Sequence, residues 1–261
     1  MLADRLPARI ALPDGGVLLR LPNGQYRRRS TLPLAGGSLD FDGTDDIVTG
    51  PSVALGATNT MFAWVRPDTV GEGGVGQILW HNAALGANGF FTEDAVNKWF
   101  KWYQVFGTTV GIWRTNASTV TLGAWQSVAR TYDSSATTND PLIYINGASV
   151  TVTEVSTPVG TVNTNTGVIY AGNQVGLTQT TDGKIGEWAV WTRLLSAIEI
   201  KAVYLFGVLA VPNGLALYWP MSGSVANAKD LSGNARHGTV TGAILGADPP
   251  SGQRAPALLV G

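Results

Sequence analysis

The stretch GGSLDFDGTDDIV, residues 36–48, decides the fold. Leu39 and Phe41 alternate with Ser38, Asp40 and Asp42, a turn of small and acidic residues follows, and Ile47 and Val48 resume an apolar run. A period of two marks a strand with one buried face, so this segment reads as strand, tight turn, strand. The phrase TMFAWVRP, residues 60–67, supplies the next strand and ends at Pro67, which has no N–H to give to a ladder. The same rhythm continues through residues 77–80, Phe90 and Phe91, 98–106, 110–114, 125–132, 141–145, 150–155, 168–171 and 183–191. Asn146 and Gly147 both accept positive φ and mark a hairpin. About ten strands are too many for one small sheet, so the expected class is all-β, a two-sheet antiparallel jelly-roll sandwich.

One helix interrupts this pattern. Ser196 and Glu199 have the spacing of a capping box, and Ile198, Ala202, Val203, Leu205 and Phe206 form an apolar stripe before Gly207. A strand over 215–219 follows, then the polar loop 230–238.

The termini differ in composition from this centre. Residues 1–33 hold Arg5, Arg9, Arg20, Arg27, Arg28 and Arg29 against Asp4 and Asp14, a local charge of +4, so with a chain total of −1 the remainder carries −5. Pro7, Pro13, Pro22 and Pro33 break it up. The chain therefore divides into a basic, proline-punctuated arm over 1–35, the sandwich over 36–246 and an extended tail over 247–261 holding Pro249, Pro250 and Pro256. The six arginines are the expected docking residues for a protein partner; nucleic acid is the lesser expectation, because they are spread thinly along the arm.

Charged residues make up 13% of the chain against 44% hydrophobic, a balance that favours partial coverage in an assembly. With no cysteine there is no disulfide, thiolate nucleophile or cysteine metal site. The opening residues lack the apolar core of a secretory leader, and the longest apolar runs, such as 202–210, fall short of a membrane span.

Five phrases in order, LDFDGTDDIV, MFAWVRP, LGAWQSVARTYD, LIYINGASV and DGKIGEWAVWTRLLSAIEI, resemble the laminin-G-like or concanavalin-A-like jelly-roll modules over about 36–205. The resemblance implies the sandwich, and it leaves function open among lectins, glycosidases, adhesion modules and particle-surface proteins. It also implies calcium between the turn carrying Asp42, Asp45 and Asp46 and the strand carrying Asp182 and Glu187, although Gly186 stands where such modules commonly have an acid. The phrase from Gly214 to Ala243 resembles what normally precedes the first strand in these modules; here it comes last, closing either its own sandwich or a neighbour's.

Catalysis is not expected. The glycosidase phrase Glu-x-Asp-x-x-Glu is missing, Glu93, Asp94 and Glu187 are isolated, and His81 and His237 are far apart. The dense aromatic run KWFKWYQVF, residues 98–106, reads as a core strand or as a platform on which Trp99, Trp102 and, nearby, Trp113 stack on sugar rings. The leading expectation is a homo-oligomeric virion component, a capsid decoration protein bound to another virion protein, working in the virion after assembly in a host cytoplasm. The alternative is an extracellular or cell-surface lectin or adhesion module that binds a glycan.

Overall fold

The computed structural model describes residues 9–11, 17–20, 26–29, 37–83, 86–162, 166–222 and 226–246. Near the N-terminus β1 (Arg9–Ala11), β2 (Val17–Arg20) and β3 (Tyr26–Arg29) pair as a small antiparallel sheet.

Two larger sheets form the body. The first has nine strands in the order β14 (Val152–Ser156), β10 (Gly111–Thr115), β9 (Trp99–Gln104), β8 (Gly86–Glu93), β7 (Val75–Ala83), β15 (Gly167–Ala171), β5 (Ile47–Val53), β19 (Gly238–Thr241), β18 (Asn227–Ala228). The second has eight: β13 (Ala148–Val150), β12 (Leu142–Ile145), β11 (Gln126–Asp133), β6 (Thr58–Pro67), β16 (Asp182–Trp191), β4 (Ser38–Asp42) and β20 (Ile244–Gly246), with β17 (Leu215–Trp219) beside the far half of β16. All pairings are antiparallel between these strands, and β17, β19 and β20 pair with strands of their own chain.

Between the sheets lies a core built from alternate residues, including Phe41, Val128, Trp188 and Trp219 on one side and Phe90, Phe100, Trp102 and Trp113 on the other. Trp188 and Trp219 stack with ring centroids 5.0 Å apart. Burying indoles of this size is the largest single apolar gain available to a sandwich. Gly186 takes its place here: Ile185 faces Val65, yet Trp188 faces Ala63, so β16 has one residue more than β6 at a bulge over residues 186–187. The bulge reverses the phase of the strand. Ile185 and Trp188 both reach the inner core, while Ala189 and Trp191 turn outward to a second cluster under the helix.

That helix, α1 (Ala197–Phe206), carries the capping box in full, and Ser196 Oγ accepts from the Glu199 N–H at 3.3 Å. Its buried face differs from the stripe read in the sequence. Ile200 and Val203, three apart, share the face that points into the outer cluster, whereas Ile198, two positions and about 200° around the helix from Ile200, is exposed; Phe206, in the last turn, is exposed as well. A second difference concerns residues 150–155. Asn146 and Gly147, at φ 51° and 73°, turn β12 into β13, but β13 ends at Val150 and the chain crosses at Thr151 to pair as β14 with β10 of the other sheet. Among the described residues no helix is long and apolar enough to cross a membrane.

Candidate functional site

The outer face of the nine-stranded sheet carries an aromatic row. Ile112, Tyr103, Gly89, Trp80 and Tyr170 are successive cross-strand partners on β10, β9, β8, β7 and β15. Their neighbours Trp113, Trp102 and Phe90 lie in the core, so the row points away from it. At Gly89 a Cβ would stand 2.9 Å from Trp80 Cε3 and 3.1 Å from Cζ3, so the indole of Trp80 lies against the sheet where a side chain is missing. Trp80 and Tyr103 are half-buried, and Tyr170 closes one end of the row.

A charged fringe adjoins this row. Lys101 Nζ meets Glu93 Oε1 at 2.8 Å and stands 5.4 Å from the centroid of Phe91. Trp99 Nε1 donates to Glu93 Oε2 at 3.0 Å, and the Arg114 guanidinium covers the Trp99 ring at 4.0 Å. Flat π-surfaces with a polar border suit a ligand that has one apolar face and hydroxyls around its rim.

The three tryptophans proposed for glycan stacking separate here. Trp102 and Trp113 are wholly buried and face inward, which corrects their assignment as stacking residues. Trp102 lies under Arg130, and Trp113 meets Tyr132 edge-on while its Nε1 donates to Asp140 Oδ1 at 2.7 Å. Trp99 is on the outer face, but at the fringe. The residues that sequence reading missed are Tyr103 and Trp80. One signal was present: in WFKWYQ the lysine at 101 marks the solvent phase, which Trp99 and Tyr103 share and Trp102 does not. Nothing comparable announced Trp80, whose position depends on the register of β7 against β8.

The acidic turn between β4 and β5 forms a second candidate. Asp42, Asp45 and Asp46 each bring a carboxylate oxygen within 4.8 Å of the others. Asp46 Oδ2 accepts the Asp42 N–H at 2.8 Å, and Asp42 Oδ1 accepts the Thr44 N–H at 2.9 Å. Asp46 is only 4% exposed. Burial pushes its carboxyl above the usual range, and the charges of Asp42 and Asp45 act in the same direction. A buried carboxylate crowded by like charges, with no Lys or Arg paired to the turn among the described residues, has the donor chemistry of a hard divalent cation. Asp182 stands beside the turn as the cross-strand partner of Asp42. Glu187 does not join it: it lies in the β16 bulge, buried, where its Oε1 accepts from Tyr218 Oη at 3.1 Å. The bulge and five residues of extended chain account for that separation.

Of the arm arginines, Arg5 lies outside the described residues. Arg9 falls on β1, Arg20 on β2, and Arg27, Arg28 and Arg29 on β3.

Residues 42–201 match the model of the Laminin_G_3 family, in the concanavalin A-like lectin/glucanases superfamily, and the chain belongs to that family. No curated protein matches the chain. Among solved structures it is similar to a Bacteroides ovatus protein described as a candidate carbohydrate-binding protein, at TM-score 0.60 and 18% identity over 81% of this chain and 60% of that one. The chain thus spans 60% of the length of that protein. It is also similar to the native heptameric SAP-like pentraxin of Limulus polyphemus, at TM-score 0.48 and 16% identity over 82% of this chain and 96% of that one. A third is the CBM40 module of the Ruminococcus gnavus IT-sialidase bound to α2,3-sialyllactose, at TM-score 0.45 and 12% identity over 63% and 96%.

Proposed function

We propose that this chain is a non-catalytic carbohydrate-binding module whose ligand lies across the outer face of the nine-stranded sheet. The observation that carries the reading is the Trp80 indole laid over Gly89 in one cross-strand row with Tyr103. A sugar ring stacks its C–H face on such a surface, and the fringe of Lys101, Glu93 and Arg114 takes its hydroxyls. Membership of a family that includes lectins, and the likeness to the Bacteroides protein, support it. They favour this reading over capsid decoration, which rested on composition and the basic arm.

The absence of catalysis belongs to the same proposal. Glu93, the carboxylate bordering the row, is paired to Lys101 and Trp99, which suits an anchoring role rather than proton transfer. In the acidic turn, Asp42, Asp45 and Asp46 would hold a calcium ion. The ion would supply charge neutralisation, and these residues would stiffen the β4–β5 turn around it.

The test is a glycan array with the full chain, followed by calorimetry on each bound glycan with Trp80→Ala. Stacking on one aromatic is worth about 0.5–1.5 kcal/mol, so affinity should fall by up to about tenfold with folding intact. Unchanged affinity in that variant, or an array with no bound glycan, would refute the platform.

A further inference from the structure

A cleft of about 360 Å³ opens on the eight-stranded sheet, where β11 ends and the loop 134–141 leads to β12. Its walls include Asp133, Thr138, Asn139, Asp140, Leu142 and Leu194. It lies far from the acidic turn: β6 runs from Thr58, beside Asp133, to Pro67, beside Gly183, so the two features occupy opposite ends of the sandwich. It also lies on the other sheet from the aromatic row.

The walls are built rather than loose. Asp133 Oδ1 accepts the Ser135 N–H at 3.0 Å, and Asn139 Nδ2 donates to the Asp133 carbonyl at 3.0 Å. Asp140 is held by the Trp113 indole at 2.7 Å, which ties the loop to the core and leaves its second oxygen without a protein partner among the described residues. Leu142 and Leu194 expose 53% and 41% of their surface. The charged groups lining the cleft are both carboxylates, with no lysine or arginine among the lining residues. An anionic ligand would meet uncompensated repulsion there, whereas a cation would gain from both charges. Two leucines offer an apolar wall for C–H groups, while Thr138, Asn139 and Asp140 offer hydroxyl partners. The volume is at the lower end of ligand pockets, which suits a single ring.

We propose that this cleft is a second sugar site, selective for a ring that carries a protonated amine, as in a glucosamine residue. For the ring it rests on the carbohydrate-binding reading; for the amine it rests on the carboxylates alone. Asp133 and Asp140 receive the ammonium group, and the leucines border the ring.

The experiment is a ¹⁵N-resolved NMR titration of the full chain with glucosamine, glucose, glucuronate and ethanolamine, below the pKa of the amines. Glucosamine should shift resonances of residues 131–142 and Leu194, and bind about fivefold tighter than glucose, the scale of one part-exposed ion pair. Glucuronate should leave these resonances unmoved. Asp133→Asn preserves the acceptor for Ser135 and should remove most of the preference for glucosamine, and Leu194→Arg should abolish binding. The same shifts should persist in Trp80→Ala, so failure of the platform and failure of the cleft are read separately. Glucuronate binding as well as glucosamine, ethanolamine matching glucosamine, or shifts confined to the aromatic row would overturn the proposal.

Discussion

The guanidinium of Arg130 stands 3.8 Å from the ring centroid of Trp102, between the two sheets. Both side chains are almost wholly buried. Arg130 Nη1 donates to Asn59 Oδ1 at 2.6 Å, while its Nε has no partner among the described residues. Trp102 therefore serves as the ceiling over a buried cation. Desolvation is the cause that pulls Arg130 down, to about 9.

That relationship predicts an unusual alkaline response. A base whose folded pKa is depressed costs stability fully below that pKa, and the cost fades as the folded form loses its proton before the unfolded form does. Arg130→Met should be about 1 kcal/mol more stable than the parent at neutral pH, since replacing a buried charge by an apolar side chain is often stabilising. Between pH about 9 and 12 the parent should catch up and overtake it. Paired melting curves of the two proteins across this range cancel the other titrations. A constant gap would show that the guanidinium stays charged, and a less stable variant at neutral pH would make the stacked cation a net stabiliser.

The outer row makes a prediction that separates surface from core. Gly89→Val should displace the indole of Trp80 and weaken glycan binding about tenfold, because the added Cβ meets the ring at 2.9 Å. Trp102→Ala should instead lower stability by about 3–5 kcal/mol while the surviving folded fraction binds normally. Denaturant melts and calorimetry on both variants give the comparison. Loss of affinity without loss of stability in Trp102→Ala would contradict the inward placement.

Calcium should act on the acidic turn through Asp46. Without a cation its raised pKa makes ionisation unfavourable in the fold, so this group's contribution falls as pH rises above the ordinary carboxylate value. Asp46→Asn should then stabilise the calcium-free protein at neutral pH. Millimolar calcium should raise the melting temperature of the parent and leave the variant unmoved. Equal calcium responses in the two proteins would remove the turn as a cation site.

At the helix N-terminus, the Arg193 guanidinium and the Ser196 N–H hold Glu199 down to about 2. The contribution of an acid depressed in this way is present above its unfolded pKa and lost as pH falls through the folded one. The gap in melting temperature between parent and Glu199→Gln should be flat near neutrality and shrink between pH about 4.5 and 2. Ser196→Ala should cost about 1 kcal/mol at any pH in this range. A pH-independent Glu199→Gln gap would mean that packing, and not charge, sets that residue's worth.

Leu39 and Phe41 show why the architecture was readable. Their alternation with Ser38 and Asp40 is a local consequence of the pleat, and the capping box at Ser196 and the Asn146–Gly147 turn are likewise local chemistry. The three-residue strand β20 escaped notice, and the hairpin return β13 (Ala148–Val150) was placed at 150–155, because so short a run has no measurable period. For the site, the acidic turn was legible because Asp42, Asp45 and Asp46 are neighbours in the chain.

By itself, then, the sequence determined a cysteine-free antiparallel sandwich with one capped helix and an acidic turn, since strand period, turn chemistry and caps act within a few residues. Tertiary structure alone decided that Glu187 leaves the turn, that Trp102 and Trp113 belong to the core, and that Trp80 and Tyr103 share an outer row over Gly89. Those facts follow from strand register and from the β16 bulge, where a shift of one residue moves every later side chain to the other face, and register is fixed by partners tens of residues away.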